Sequence, residues 1–360
     1  MEGIYDVAVV GGGPAGAMLT RELARLCPHF RLLLVDGQTK RNPKVCGGLL
    51  APDAQKMFAK LGLTLPTSLL SDPQIFDVET IDLRLGMVRY YQRHYLNMDR
   101  YAFDRWLISL IPSSAEIFAG RCMEIRREDL PDGETEFTLD ILSEGKTVHA
   151  KARWLVGADG ANSRVRKTFF GDRVKKYIAI QQTFPNGDIP LPPYSCIFDP
   201  DTGDSCSWTI RKEDGFLYGG AFDVKHGRER FEAQKARLEA FLGVRLGEPL
   251  KTEACLVTSP RRAKDFCNGR GRVLLVGEAA GFISASSFEG ISSAVCSAHL
   301  LAEAFAEGLA EDRVTALYRR KTRALRRKLC GKLWKRGVLC SPILRACIMK
   351  SGIQSMKKYH

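Results

Sequence analysis

The chain has 360 residues, 45% of them hydrophobic and 26% charged, which suits two or three packed structural units and excludes a disordered chain. No stretch approaches the roughly 18 uninterrupted apolar residues of a membrane span. The net charge of +13 is local: residues 312–360 hold 15 Lys/Arg against one acid, leaving residues 1–311 near neutral with 39 bases and 40 acids.

Residues 4–10, IYDVAVV, are a β-branched apolar run that ends in glycines, the pattern of a buried parallel strand. A strand opening this early leaves no room for a signal peptide, so a cytoplasmic location is expected. Helical spacing over 14–27 and a second strand ending at Asp36 complete a βαβ unit. Residues 41–53 form a Pro/Gly-punctuated loop before a helix near 53–62. Alternation over 75–97 predicts strands of a separate sheet, and Phe103, Trp106, Leu107 and Leu110 predict a helix over 99–112.

Further strands are predicted at 115–126, 135–142 and 147–156. From 175 to 260, strand patterns enclose one helix at 228–242. A last strand, RVLLVG, precedes a helix over 289–308, and 312–360 reads as amphipathic helices. Eleven cysteines lie scattered, without Cys-x-x-Cys or Cys/His clustering, so neither a disulfide framework nor a metal site is suggested.

The first βαβ unit carries Gly11-x-Gly13-x-x-Gly16, with Pro14 and Ala15 inside the turn and Asp36 closing the next strand. The first glycine permits the tight turn, the second lets amides approach a pyrophosphate at the helix N-terminus, and the third lets helix and strand pack closely. Asp36 is placed to accept hydrogen bonds from a ribose. Strand, glycines, helix and acid in register predict dinucleotide binding.

Two later stretches bear on which dinucleotide. LVGADGANSRVRK places Asp159-Gly160 after a strand, with Ser163 and Arg166 beyond, and resembles the Asp-Gly fingerprint of flavoprotein hydroxylases and reductases. GRVLLVGEAAGFIS resembles their third fingerprint, with Gly277, Glu278 and Gly281 where the usual pair is Gly-Asp and the acid binds the flavin ribityl chain. FAD is therefore the expected cofactor. Gly290 and Ile291 open a helix whose amides can face the flavin N1–C2=O edge, where the reduced ring is negative.

Over nearly its whole length the chain resembles the geranylgeranyl reductase family of flavoproteins, and most closely its CbrA-type branch. GGGPAG, CGGLLAPDAQ, DRYAFDRWL, YLNMDR, YSCIFD, LVGADGANS and GEAAGFISASSFEGIS carry the likeness. The resemblance implies an α/β chain, α+β overall, with a Rossmann-like FAD-binding domain of the para-hydroxybenzoate-hydroxylase type. It also implies an inserted antiparallel β-sheet substrate domain and a helical C-terminus. The expected FAD-binding domain takes residues 1–70, 98–172 and 265–310, the substrate domain 71–97 and 173–264, and the basic helical segment 311–360.

By matching positions, Ala15, Asp36, Cys46, Gly47, Arg100, Cys122, Glu278, Gly290 and Ile291 line the FAD, with Gly48 beside them. Arg100 fits a pyrophosphate or ribityl contact, or else caps its helix at the surface. Cys46 sits in a loop that lies beside the flavin ring in the related reductases, where Gly47 and Gly48 let backbone come close. The thiol either tunes the flavin or donates a proton as a catalytic group, or it simply packs there.

The Tyr-x-Trp-x-Phe-Pro stretch that lines the reductases' substrate cavity is here Cys206-Ser-Trp208-Thr-Ile210-Arg211, so Trp208 alone survives as a substrate contact. The expected activity is reduction of carbon–carbon double bonds in an isoprenoid or lipid-like substrate, with NAD(P)H or another reductant as electron donor. An FAD-dependent monooxygenase of an aromatic or lipid substrate and a membrane-associated flavin-binding regulatory protein are the alternatives. Leu325, Leu329 and Leu333 at helical spacing among Lys/Arg, with Trp334, fit either a cap over the FAD domain or a helix lying on anionic lipid at the inner membrane face. No nucleic-acid module accompanies the basic tail, so no nucleic-acid partner is expected. The oligomeric state is open.

Overall fold

The computed structural model describes residues 3–37, 44–131, 134–187, 189, 191–308 and 310–359. The first three residues of the predicted loop 41–53 lie outside them. The chain opens with β1 (Ile4–Val10), α1 (Pro14–Leu26), β2 (Leu32–Asp36), the two-residue β3 (Leu49–Leu50) and α2 (Pro52–Lys60). The hairpin β4 (Ile75–Asp82) and β5 (Met87–Asn97) leads to α3 (Arg100–Ser109). Next come β6 (Glu116–Ala119), β7 (Arg121–Asp129), β8 (Thr135–Ser143), β9 (Lys146–Gly157) and α4 (Arg164–Phe170).

β10 (Lys176–Pro185), β11 (Tyr194–Phe198), β12 (Cys206–Lys212) and β13 (Gly215–Asp223) follow, then α5 (Gly227–Leu242) and β14 (Lys251–Thr258). The chain closes with β15 (Gly269–Arg270), β16 (Val273–Leu275) and helices α6 (Ile291–Ala306), α7 (Glu311–Lys321), α8 (Arg323–Cys340) and α9 (Pro342–Ser351).

Among the described residues the strands form two sheets. The first runs β15-β16-β9-β1-β2-β6, with β7 and β8 attached through β9. Its inner strands are parallel, and Val10 lies opposite both Val35 and Gly157 while Leu275 also pairs Gly157. That register brings the carboxyl ends of β1, β2, β9 and β16 level, so the glycine turn, Asp36, Asp159-Gly160 and Glu278 emerge along one edge, where α/β sheets bind ligands. Valines and leucines buried on both faces, such as Val7, Val9, Leu33 and Leu155, explain why these strands read as unbroken apolar runs.

The second sheet runs β14-β10-β13-β12-β11-β4-β5-β3. It is antiparallel apart from the parallel β4–β11 pair, which arises because the chain leaves after β5 to build β6–β9 before it returns. The period of two sends Ile180, Phe184, Tyr218 and Phe222 to a core under α5. It places Gln181, Tyr194, Cys196, Cys206, Trp208, Ile210 and Lys212 on the opposite face.

The tail docks against both units. Leu325 and Leu329 are 8% and 3% exposed and belong to the first core, with Leu333 packed beside them. Arg345 forms a buried ion pair with Asp82 at 2.8 Å and lies 4.8 Å from the centre of the Phe198 ring. Arg336 pairs with Asp204 at 2.9 Å. Of the two readings of the leucine stripe, the structure shows the cap: Leu325, Leu329 and Leu333 pack on the protein's own core. The helix α4 is an addition, its N-terminus capped by the Ser163 hydroxyl.

Candidate active site

The glycine turn after β1 is dictated by crowding. Gly11 has φ +110°, and a Cβ there would come within 2.6 Å of the Ala158 carbonyl oxygen, while one on Gly16 would strike the Gly11 carbonyl. Gly13, by contrast, faces open space. The α1 N-terminus has no side-chain cap, so the orphan amides around Ala15 and Gly16 suit an anion. Asp36 lies at the end of β2, buried, and accepts a hydrogen bond from Arg105 at 2.7 Å. Arg105 was not foreseen from the sequence; only its place in DRYAFDRWL hinted at it.

Asp159 turns its carboxylate inward, accepting from the Arg164 amide at 2.6 Å and the Val165 amide at 3.3 Å. Burial pushes its pKa above the usual carboxylate range despite these bonds. Its part is to fix the loop, and Gly160, at φ +70°, presents backbone to the groove. Arg166 ties this loop to the next fingerprint by donating to the Ala279 and Asp265 carbonyls at 3.0 and 2.8 Å. Cys122 lies buried nearby in β7, its thiol pushed up to about 12 by burial and by the Asp159 charge.

Glu278 is held from two sides. One oxygen takes the Lys44 ammonium at 2.5 Å, and the other accepts the Thr258 amide at 2.9 Å. A Cβ on Gly160 would lie 3.8 Å from both the Glu278 carboxylate and the Lys44 nitrogen, so second fingerprint, third fingerprint and Cys46 loop converge at one point. Burial works against the Lys44 charge, but Glu278 more than offsets it and holds the amine above its ordinary value. Gly277 packs against Ala15, with 2.8 Å between its imagined Cβ and the alanine's. Gly281 closes the same short turn at φ +79°. Gly290 precedes α6, whose first residue is Ile291 and whose N-terminus also lacks a side-chain cap. Two uncapped helix ends, an open Gly13 and the acids Asp36 and Glu278 fit the pyrophosphate, ring edge, ribose and ribityl groups of FAD.

Cys46 sits in the adjoining turn. Its Sγ accepts the Gly48 amide at 3.5 Å. Burial pushes the thiol up, yet the Arg100 guanidinium, the Gly48 amide and Lys44 outweigh it and leave it below the ordinary thiol value. Arg100, paired with Asp104 at 3.0 Å, is locked beside the sulfur. Gly47 lies close under the substrate-face wall: a Cβ there would come within 2.5 Å of the tip of the Ile210 side chain, with Trp208 at 3.7 Å. The Trp208 indole donates to Gln181 at 3.4 Å and so forms a fixed wall facing this turn.

Lys212 completes the cluster. Its ammonium donates to Asn97 Oδ1 at 2.5 Å and to the Met98 carbonyl at 3.0 Å. It would lie 2.7 Å from a Cβ on Gly48. Burial pushes its pKa down to about 8. Farther along the same face, Tyr95 donates to Glu289 at 2.6 Å, and its ring meets that of Tyr194 edge-on at 5.8 Å. Lys44, Lys212, Tyr95 and Glu289 were missed in the sequence; Glu289, directly before Gly290, was the one with a local signal.

Comparison with known proteins agrees on FAD as the cofactor. The FAD binding domain family model matches residues 4–176. The chain is 44% identical over 355 residues to Protein CbrA of Escherichia coli O6:H1, covering 97% of this chain and 94% of that one. Its fold is similar to a geranylgeranyl bacteriochlorophyll reductase-like protein from Thermoplasma acidophilum, with a TM-score of 0.76 at 16% identity over 94% of this chain and 88% of that one. It is also similar to the p-nitrophenol 4-monooxygenase PnpA of Pseudomonas putida DLL-E4, with a TM-score of 0.69 at 17% identity over 98% and 94%.

Proposed function

The chain belongs to the CbrA family of FAD-binding flavoproteins, and from that premise we propose that it is an oxidoreductase that reduces a carbon–carbon double bond of an isoprenoid or other lipid-like substrate. FAD, when bound, supplies the hydride, replenished by an external two-electron reductant such as NAD(P)H. Hydride added to one alkene carbon must be matched by a proton on the other. The observation that carries the reading is the pair of proton-bearing groups at the Cys46–Gly48 turn: the Cys46 thiol and the Lys212 ammonium, the latter poised at about 8. A general acid works best with a pKa near the working pH.

In this scheme Lys212 holds the proton, and Arg100 and the Gly48 amide hold Cys46 in place. Trp208, Ile210 and Tyr194 supply the apolar wall against which an alkene can lie, and the Tyr95–Glu289 pair closes its far end. Asp36 and Glu278 orient the cofactor. The likeness to the reductase-like Thermoplasma protein supports the reading; that to the nitrophenol monooxygenase keeps oxygen transfer as the second one.

The deciding experiment mixes the prereduced FAD-loaded protein, without oxygen, with long-chain polyprenols in detergent. The expected result is reoxidation of the flavin absorbance and a product heavier by two hydrogens, both slowed by Lys212→Met. Reoxidation that waits for oxygen and yields a product heavier by one oxygen atom overturns the reductase reading.

A further inference from the structure

A second cleft, about 920 Å³ in volume, runs between α7, α8 and the segment 263–271 at the outer edge of the first sheet. None of Cys46, Trp208, Lys212 or Glu278 lines it. Its walls carry seven arginines, at 127, 270, 319, 320, 323, 326 and 327, against two acids, Glu311 and Asp312. Arg127 is paired with Asp129 and Arg320 lies 3.9 Å from Glu307. Among the described residues the other five form no ion pair. One of the two acids, Glu311, is engaged by Arg272. Five uncompensated guanidinium groups along one cleft create a concentrated positive field whose natural complement is an array of phosphates.

The helix phase of α8 indicates what carries those phosphates. Leu325, Leu329 and Arg336 point inward and are buried. Arg323, Arg327 and Trp334 follow the i, i+4, i+11 spacing of the opposite face and are exposed. Trp334 is 80% exposed, and Ile343 and Ile353 farther along the tail are 76% and 64% exposed. A bare indole two turns beyond a row of arginines matches a membrane interface, where tryptophan sits at headgroup level and cations meet anionic lipid. No aromatic side chain lines the cleft, as stacking on single-stranded nucleic acid would need.

We propose that the arginine cleft and the outward face of α8 form a docking surface for an anionic phospholipid bilayer. The leucine stripe of the same helix holds the tail to the protein while the arginine and tryptophan face meets the lipid. This surface is independent of the double-bond chemistry, so either can fail without the other.

The test uses the full-length FAD-loaded protein with sedimenting vesicles of phosphatidylcholine alone, or with about a third phosphatidylglycerol. Binding is expected only with the anionic lipid and should be lost in high salt. The Arg323→Gln/Arg327→Gln double variant should bind roughly 25-fold more weakly, about fivefold for each cation removed. Trp334→Ala should weaken binding further and abolish any vesicle-induced blue shift in the fluorescence difference from wild type. Unchanged FAD absorbance and melting temperature show that the variants are folded, because these side chains pair with nothing in the described chain. Equal binding to neutral vesicles, indifference to the arginine changes, or arginine-dependent binding of tripolyphosphate or RNA without vesicle binding overturns the proposal.

Discussion

Lys212→Met separates a poised proton donor from an ordinary structural lysine. The folded chain releases the Lys212 proton at about 8, whereas an unfolded lysine keeps it to about 10.4. Between those values the unfolded state binds more protons, so stability rises with pH across that window. The displacement corresponds to about 3 kcal/mol charged against the native state at neutral pH. Methionine has nearly the same shape and does not titrate. It leaves Asn97 Oδ1 and the Met98 carbonyl without a donor, at a cost of about 1–3 kcal/mol. At neutral pH the two effects nearly cancel and K212M should match the wild type. By about pH 10 the wild type should lead by about 3 kcal/mol more than it did at about pH 7.

Urea unfolding of both proteins at the two pH values reads this difference directly, and the rate of product formation supplies a second readout. Wild-type turnover should decline as pH rises through about 8, where the donor loses its proton, while K212M should be flat and about a hundredfold slower. If the stability difference between the two proteins stays constant from neutral to alkaline pH, Lys212 is not a depressed amine and its assignment as proton donor falls.

Three further outcomes follow from the geometry. Glu278→Ala leaves the Lys44 charge and the Thr258 amide unpaired and should lower FAD affinity at least about tenfold; flavin fluorescence titration with unchanged affinity would detach this acid from the cofactor. Arg345→Met strips the partner from Asp82, which is 1% exposed, and should destabilise the fold by about 3–5 kcal/mol; the companion Arg345→Met/Asp82→Asn should recover part of the loss, and urea unfolding without such recovery excludes the pair as the cause. Glu22, fully buried, is held down to about 2: burial opposes its charge, but His299, Arg25 and Arg21 outweigh that. Its contribution is present above about 4.5 and fades as pH falls toward about 2, so Glu22→Gln should cost about 3 kcal/mol at neutral pH and progressively less in acid; a pH-independent difference in urea unfolding refutes this.

The sequence by itself determined the cofactor groove. Gly11, Gly13, Gly16 and Asp36 act through backbone sterics and helix-end electrostatics that operate within a few residues, so their pattern is readable without a fold. The strands were legible for the same reason, since periods of two or of continuous burial are local properties. Cys46 could be suspected but not interpreted, because its acidity depends on Arg100, 54 positions later, and on the turn that brings the two together.

Only the tertiary structure decided the rest. Lys44 meets Glu278 across 234 positions, and Lys212 meets Asn97 across 115; no spacing rule links residues whose contact exists only after two sheets have packed. The tail shows the same limit. Its spacing established that Leu325, Leu329 and Leu333 share one face, but an amphipathic stripe states only that something apolar must cover it. In the folded chain that cover is the first core, and the side left outward is the arginine and tryptophan face.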